Sequence, residues 1–253
     1  MRIAVAGGSG CVGRFVVEAS RAAGHLPVVL ARSAGVNIVT GAGLDAALQG
    51  VDAVIDVTNS DSVTRSRSVA FFEAGTRNLQ AAGRRAGVSH HVVLSIVGID
   101  RVDLGYYEGK RRQEEIVLSG SLPASVVRST QFHEFAAQMC ARSPGPVAFI
   151  PTMRCQPVAA REVAEALVET AVGEPVGLAA DHGGPAPAEM TDLARQLLRA
   201  RRSRRLVMPV WLPGAAGKAM AGGGLLPTGG GPRGRLTFTE WLASADGTYL
   251  NGH

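Results

Sequence analysis

Nine residues near the start, Val5-Ala6-Gly7-Gly8-Ser9-Gly10-Cys11-Val12-Gly13, constrain this chain more than any other stretch. The residues before them, 2–6, read as a short buried strand. Those after them place Val12, Phe15, Val16 and Ala19 at helical spacing. Strand, glycine-rich turn and helix, in that order, are the context in which a glycine fingerprint points to dinucleotide binding. The first glycine permits the tight turn, the middle one lets backbone approach a pyrophosphate, and the last lets helix pack on strand. The anionic group then meets the positive end of the helix. The run satisfies both Gly8-x-Gly10-x-x-Gly13 and Gly7-x-x-Gly10-x-x-Gly13. Gly7, Gly8, Ser9, Gly10, Cys11, Val12 and Gly13 are thus the first candidate cofactor-binding residues.

The second strand is read at residues 28–31, and Arg32 and Ser33 stand at its end. A site that prefers the unphosphorylated cofactor carries an acid about 20 positions after the glycines, to hold the ribose 2′-hydroxyl. Here the residue 19 positions after Gly13 is Arg32. A guanidinium suits a 2′-phosphate and Ser33 can donate to it, so the expected cofactor is NADP(H). Residues 37–39 read as a third strand and 44–48 as a short helix ending before Gly50. The apolar run 51–57 reads as a fourth strand. Its end, Val57-Thr58-Asn59, is expected at the carboxyl edge of the sheet, where ligands bind in such folds. A helix follows from 68 to 86, a fifth strand at 91–96, a helix at 108–118 and a sixth strand at 124–127. Strands alternating with helices argue for a parallel sheet covered on both faces. The fold class is α/β, a Rossmann-type doubly wound parallel sheet with a smaller C-terminal substrate lobe.

After Thr130 the rhythm changes. Pro144-Gly145-Pro146 is a break, 161–172 and 190–200 read as helices, 206–210 as a strand, and 239–242 as part of a last short helix. Two glycine runs, 222–224 and 229–231, flank Leu225-Leu226-Pro227. The expected division is a dinucleotide-binding core at 1–130, with helix 160–172 packing back on it, and a substrate lobe at 131–253. At 253 residues, 46% of them hydrophobic, the chain can bury a core of this size.

From the strand-led start no signal peptide is expected, and no apolar run reaches the ~18 residues of a membrane span. Cys11, Cys140 and Cys155 are too few and too scattered for a disulfide framework. A reduced cytoplasmic setting is expected. Arg195, Arg199, Arg201, Arg202, Arg204 and Arg205 carry the whole positive excess, since removing those six from +5 leaves −1. Without interleaved aromatics they read as a solvated helix end and not as a nucleic-acid surface. His90 and His91 open a strand with no third ligand at metal spacing, so no metal site is expected. The expected partner is a small-molecule substrate, with the protein expected to be a monomer or homodimer.

Tyr106 and Lys110 are four residues apart and share a helix face if the helix begins by Tyr106. Tyr107 competes for the same role. Ser95, 11 residues before Tyr106, ends the fifth strand. Gln131, Phe132 and His133 follow the sixth. Glu108, Glu114 and Glu115 are expected to face solvent.

Several of these stretches together resemble a family. They are Gly7 to Gly13, Leu94-Ser95-Ile96-Val97-Gly98, Tyr106-Tyr107-Glu108-Gly109-Lys110 with Gln113-Glu114-Glu115, Val127-Arg128-Ser129-Thr130-Gln131-Phe132, Gln156-Pro157-Val158, and Phe238-Thr239-Glu240-Trp241-Leu242. The chain resembles an atypical short-chain dehydrogenase/reductase of the NmrA-like, NAD(P)H-binding type over nearly its whole length. The resemblance implies an oxidoreductase that uses NADPH to reduce a small carbonyl or activated alkene. The alternative it leaves open is a catalytically silent NADP(H)-sensing regulatory protein. It implies that Tyr106 donates a proton to the substrate oxygen, with Lys110 on the nicotinamide ribose lowering the phenol pKa and Ser95 orienting the carbonyl. It also sets Gln131, Phe132 and His133 over the nicotinamide as substrate contacts.

Overall fold

In a computed structural model describing residues 1–249, the chain runs β1 (Arg2–Ala6), α1 (Gly13–Ala22), β2 (Leu26–Leu30), α2 (Leu44–Ala47), β3 (Ala53–Asp56), α3 (Arg65–Ala86), β4 (His90–Ile96), α4 (Gly105–Ser119) and β5 (Ala124–Ser129). It continues through α5 (Glu134–Ala141), β6 (Val147–Pro151), β7 (Arg154–Cys155), α6 (Ala160–Val172), β8 (Gly177–Leu178), β9 (Ala188–Glu189), α7 (Met190–Ala200), β10 (Leu206–Val210), α8 (Gly214–Ala221), α9 (Phe238–Ala243) and α10 (Ala245–Tyr249). Two compact units result. The first comprises Met1–Ile99, Leu104–Arg128 and Arg161–Ala180, and the second Asp100–Asp103, Ser129–Ala160 and the chain from Asp181 on.

The first unit is built on a six-stranded sheet in the order β2-β1-β3-β4-β5-β8. Its registers are parallel: Ile3 faces both Pro27 and Ala53, and Ala53 also faces His90. Burial on both faces explains the near-continuous Val/Ile runs. Ile3, Ala4, Val5 and Ala6 are fully buried, as are Ala53 and Ile55. The chain leaves β1 to one side for β2 and returns to the other side for β3. That reversal puts a crevice at the carboxyl ends of β1 and β3, the switch point where such sheets take ligands. α6 is tied to α1 by Arg161, whose guanidinium lies 4.6 Å from the Phe15 ring centre and 2.9 Å from Glu18.

One expected strand is absent. Residues 37–39 form a turn, because Asn37 Oδ1 accepts from Val39 N at 3.0 Å and Thr40 N at 3.4 Å. A side chain that satisfies these amides locally competes with a ladder. Asn78 of α3 donates to the carbonyls of Ile38 and Val39 at 2.8 Å each. β2 is therefore the edge of the sheet.

In the second unit β6 and β10 pair in parallel and β7 and β9 antiparallel. Trp241, Leu197 and Met190 are fully buried in it. Among the described residues no helix is long and apolar enough to cross a membrane.

His91 gives this fold a measurable acid sensitivity. Burial lowers its pKa to about 4, against the opposing pull of Asp56. A histidine held below its ordinary 6.5 binds its proton more weakly when folded, so its contribution is intact above pH 6.5 and is lost as the pH falls toward 4. Urea unfolding at pH 7.5 and 4.5 should show wild type losing more stability than His91→Gln. Equal losses would assign the acid sensitivity to other groups.

Candidate functional site

The glycine turn closes on itself. Gly10 N donates to Gly7 O at 2.9 Å and Arg14 N to Gly10 O at 3.1 Å. Gly7 adopts φ +81°, a conformation open to glycine at little cost. A Cβ on Gly13 would stand 2.0 Å from Gly7 O, so α1 reaches this close only because residue 13 has no side chain. Gly7 also touches the chain leaving β3, where a Cβ would meet Val57 O at 3.0 Å and Thr58 Cα at 3.1 Å. Ser9, Gly10 and Cys11 are exposed. No side chain caps the start of α1, and its first turn holds no acid. An uncapped helix start with no carboxylate beside it fits an anionic pyrophosphate. Arg32 and Ser33 lie in a single 3₁₀ turn directly after β2, with Ser33 exposed.

The end of β3 meets the start of α4. Tyr106 Oη donates to Asn59 Oδ1 at 2.6 Å. Ser68 Oγ of α3 donates to Tyr106 O at 3.1 Å, and the Tyr106 ring packs edge-on against Phe72 at 5.8 Å. Tyr107 turns inward and is buried. Burial, with Tyr107 beside it, raises the Tyr106 phenol well above its ordinary value, and burial raises that of Tyr107 to about 12. The phenol is thus not acidified as the spacing to Lys110 suggested.

The reason lies in where Lys110 points. Its Nζ donates to Leu94 O at 2.6 Å and to Gln113 Oε1, and lies 4.7 Å from the Phe72 ring centre. The residue is only 3% exposed. Burial lowers its pKa to about 8, while Asp56 and Glu114 pull the other way. Gln113 Nε2 donates to Asp56 Oδ2 at 2.8 Å, and Asp56 Oδ1 accepts from Thr58 N at 2.9 Å and Thr58 Oγ1 at 2.6 Å. Asp56 was not singled out in the sequence, and Gln113 stood only in the stretch that carries the resemblance, not among the expected site residues. The signal available was an acid ending an otherwise apolar strand. Glu114, expected in solvent, is buried against Arg128, which donates Nε to Glu114 Oε1 at 2.9 Å. Ser95 is 1% exposed, and its Oγ has no partner among the described residues, so it bonds neither tyrosine.

Gln131, Phe132 and His133 belong to the second unit. Gln131 O accepts from Val158 N at 3.0 Å, and Gln131 is half-buried. His133 is buried, its Nε2 donating to Leu236 O at 3.0 Å and its ring 5.5 Å from that of Trp241 and 5.4 Å from that of Phe238. That packing gives it a structural part. In the arginine-rich stretch, Arg205 donates to Cys140 O at 3.0 Å and to Ser143 O, at the end of α5. Arg195 pairs with Asp192 at 2.7 Å.

No family model matches the chain. It is 33% identical over 144 residues to a (4-alkanoyl-5-oxo-2,5-dihydrofuran-3-yl)methyl phosphate reductase of Streptomyces griseus, the match covering 51% of this chain. The chain spans about half the length of that curated relative, 48%. Among solved structures it is similar to MoeE5 in complex with UDP-glucuronic acid and NAD, at 16% identity and TM-score 0.77 over 100% of both chains. It is also similar to the NADPH-dependent quinone oxidoreductase QOR2 of Escherichia coli complexed with NADPH, at 18% identity and TM-score 0.70 over 95% of this chain and 98% of the other. A UDP-N-acetylglucosamine 4-epimerase from Bacillus cereus matches at 19% identity and TM-score 0.71 over 99% and 96%. The fold is the Rossmann-type α/β fold that the chain shares with these structures.

Proposed function

We propose that this chain is an NADPH-dependent reductase of a small carbonyl or activated-alkene compound, of the atypical short-chain dehydrogenase kind with the NmrA-like pattern in its sequence. The observation that carries the reading is Tyr106 Oη on Asn59 Oδ1 at 2.6 Å, on the segment that follows β3 and touches the glycine turn. A protonated phenol and a dinucleotide cradle then share one sheet edge. The name of the Streptomyces griseus relative supports reduction as the reaction class. A 5-oxo-2,5-dihydrofuran is an unsaturated lactone, an alkene activated by a carbonyl, so activated alkenes are the first substrates to try.

A nicotinamide bound at the turn supplies hydride. What the chain adds is binding and a proton. The turn from Ser9 to Val12 would hold the pyrophosphate, and Arg32 with Ser33 would hold the 2′-phosphate. Burial keeps the Tyr106 phenol protonated at neutral pH. As negative charge develops on the substrate oxygen, Tyr106 gives up its Oη proton to it. Ser95 Oγ, buried and unpartnered among the described residues, is assigned to orient that oxygen.

The test is NADPH oxidation against a panel of unsaturated lactones, enones, ketones and aldehydes. Consumption is expected with at least one class, and none across the panel would overturn the reading. Cofactor choice is tested separately by calorimetry. Arg32→Ala should weaken NADPH by about 1.5–3 kcal/mol, the range for a hydrogen bond to a charged group, and leave NADH nearly unchanged. Equal wild-type affinity for the two cofactors would remove the 2′-phosphate role.

A further inference from the structure

We propose that Gln113 is a positioning residue, the connector through which the buried Lys110 ammonium and the Asp56 carboxylate set the Thr58-Asn59 segment and thereby aim the Tyr106 hydroxyl. The proposal rests on the reductase reading for its kinetic readout but not for its geometric one. The chain of contacts is continuous. Lys110 Nζ donates to Gln113 Oε1, Gln113 Nε2 to Asp56 Oδ2 at 2.8 Å, Thr58 N and Oγ1 to Asp56 Oδ1 at 2.9 and 2.6 Å, and Tyr106 Oη to Asn59 Oδ1 at 2.6 Å.

Donor and acceptor chemistry makes the order one-directional. An ammonium can only donate and a carboxylate can only accept. A neutral amide with one oxygen and one NH₂ is the group that satisfies both at once. Gln113 is fully buried, Asp56 is 1% exposed and Lys110 3%, so no bulk water stands ready to repair a mismatch. Partly satisfied buried networks are costly for that reason. Leu94 O, at the β4 end of the chain, fixes Lys110 from the sheet side. The Asp56 end lies where β3 runs into the residues that touch Gly7. The lysine therefore acts on the site through Gln113 and Asp56, from inside the core.

The polarity of this relay can be swapped without changing its net charge. Asp56→Asn alone sets an amide NH₂ against the Gln113 NH₂. Gln113→Glu alone sets one carboxylate against another. The double variant Asp56→Asn/Gln113→Glu restores every donor to an acceptor. Lys110 and the amide NH₂ introduced at position 56 both donate to the carboxylate introduced at position 113. The amide oxygen at position 56 still receives Thr58. Each single variant should lower kcat roughly 10- to 100-fold, the scale of a displaced catalytic group, with NADPH affinity within about threefold of wild type. The double variant should recover to within about threefold of wild-type kcat. In a Tyr106→Phe background the single changes should add less than about twofold, because coupled residues are not additive.

Crystal structures of the variants give a readout that needs no turnover. Each single should part Tyr106 Oη from Asn59 Oδ1, and the double should bring them back to 2.6 Å. A double variant no better than the worse single, or losses of equal size in the Tyr106→Phe background, would overturn the proposal. So would singles that keep the Tyr106–Asn59 bond. A panel without turnover overturns the reductase reading, and the crystal structures still decide this one.

Discussion

Replacing Tyr106 by phenylalanine should lower turnover by about 10²–10⁴, the usual range for losing a positioned general acid, with NADPH affinity near that of wild type. The change removes one oxygen and leaves the ring that packs on Phe72 in place. Fold and cofactor cradle should therefore survive, and the loss should fall on kcat. Hydride delivery to a carbonyl or enone leaves charge on oxygen, and a group within hydrogen-bond reach must protonate it. Burial has raised the Tyr106 phenol, so it holds its proton at neutral pH. Ionised carboxylates on α4 cannot donate, and His133 is buried against Trp241. Tyr107→Phe is the internal control. Its ring is buried one position away, and removing its hydroxyl should be mild in the same assay. If Tyr107→Phe cripples turnover and Tyr106→Phe does not, the proton donor is misassigned by one residue.

Gly13→Ala should weaken dinucleotide binding at least tenfold and destabilise the first unit. The added methyl would lie 2.0 Å from Gly7 O and 2.6 Å from Gly8 Cα, and both are backbone atoms that cannot rotate away. Overpacking of this kind costs about 1–3 kcal/mol or more. To relieve it, α1 must move off the turn, which withdraws its amides from the phosphates. Each such bond lost costs roughly 1.5–3 kcal/mol, at least a tenfold fall in affinity. Calorimetric titration with NADPH and a thermal melt check the two parts. Gly229→Ala is the control, because nothing lies within 4 Å of a Cβ there. Tight NADPH binding by the Gly13→Ala protein would mean that the phosphates do not use this turn.

The central strands were legible because burial on both faces writes itself as apolar runs, Ala53-Val54-Ile55, Val92-Val93-Leu94 and Val126-Val127. The helix at 190–200 was legible through its apolar stripe of Leu193, Leu197 and Leu198. Residues 37–39 misled because the same apolar pattern serves a strand or a turn. What decides is one amide oxygen on Asn37, and periodicity carries no trace of it. Lys110 misled in another way. Spacing of four residues says that two side chains share a helix face, but not how a long flexible one leaves it. Asp56 and Gln113 draw the ammonium inward, and their spatial proximity spans 57 positions of sequence.

The missing third strand has a consequence for how copies of this chain meet one another. With β2 outermost in the sheet, a row of backbone groups faces outward and could template a neighbour's strand, the route by which sheets join edge to edge. Pro27, the second residue of β2 and opposite Ile3, has no N–H to offer such a neighbour. The glycine turn begins where β1 ends, and β2 beside it carries an imino acid. The edge left by losing a strand thus lacks one ladder donor, at a residue that a central strand could not have tolerated.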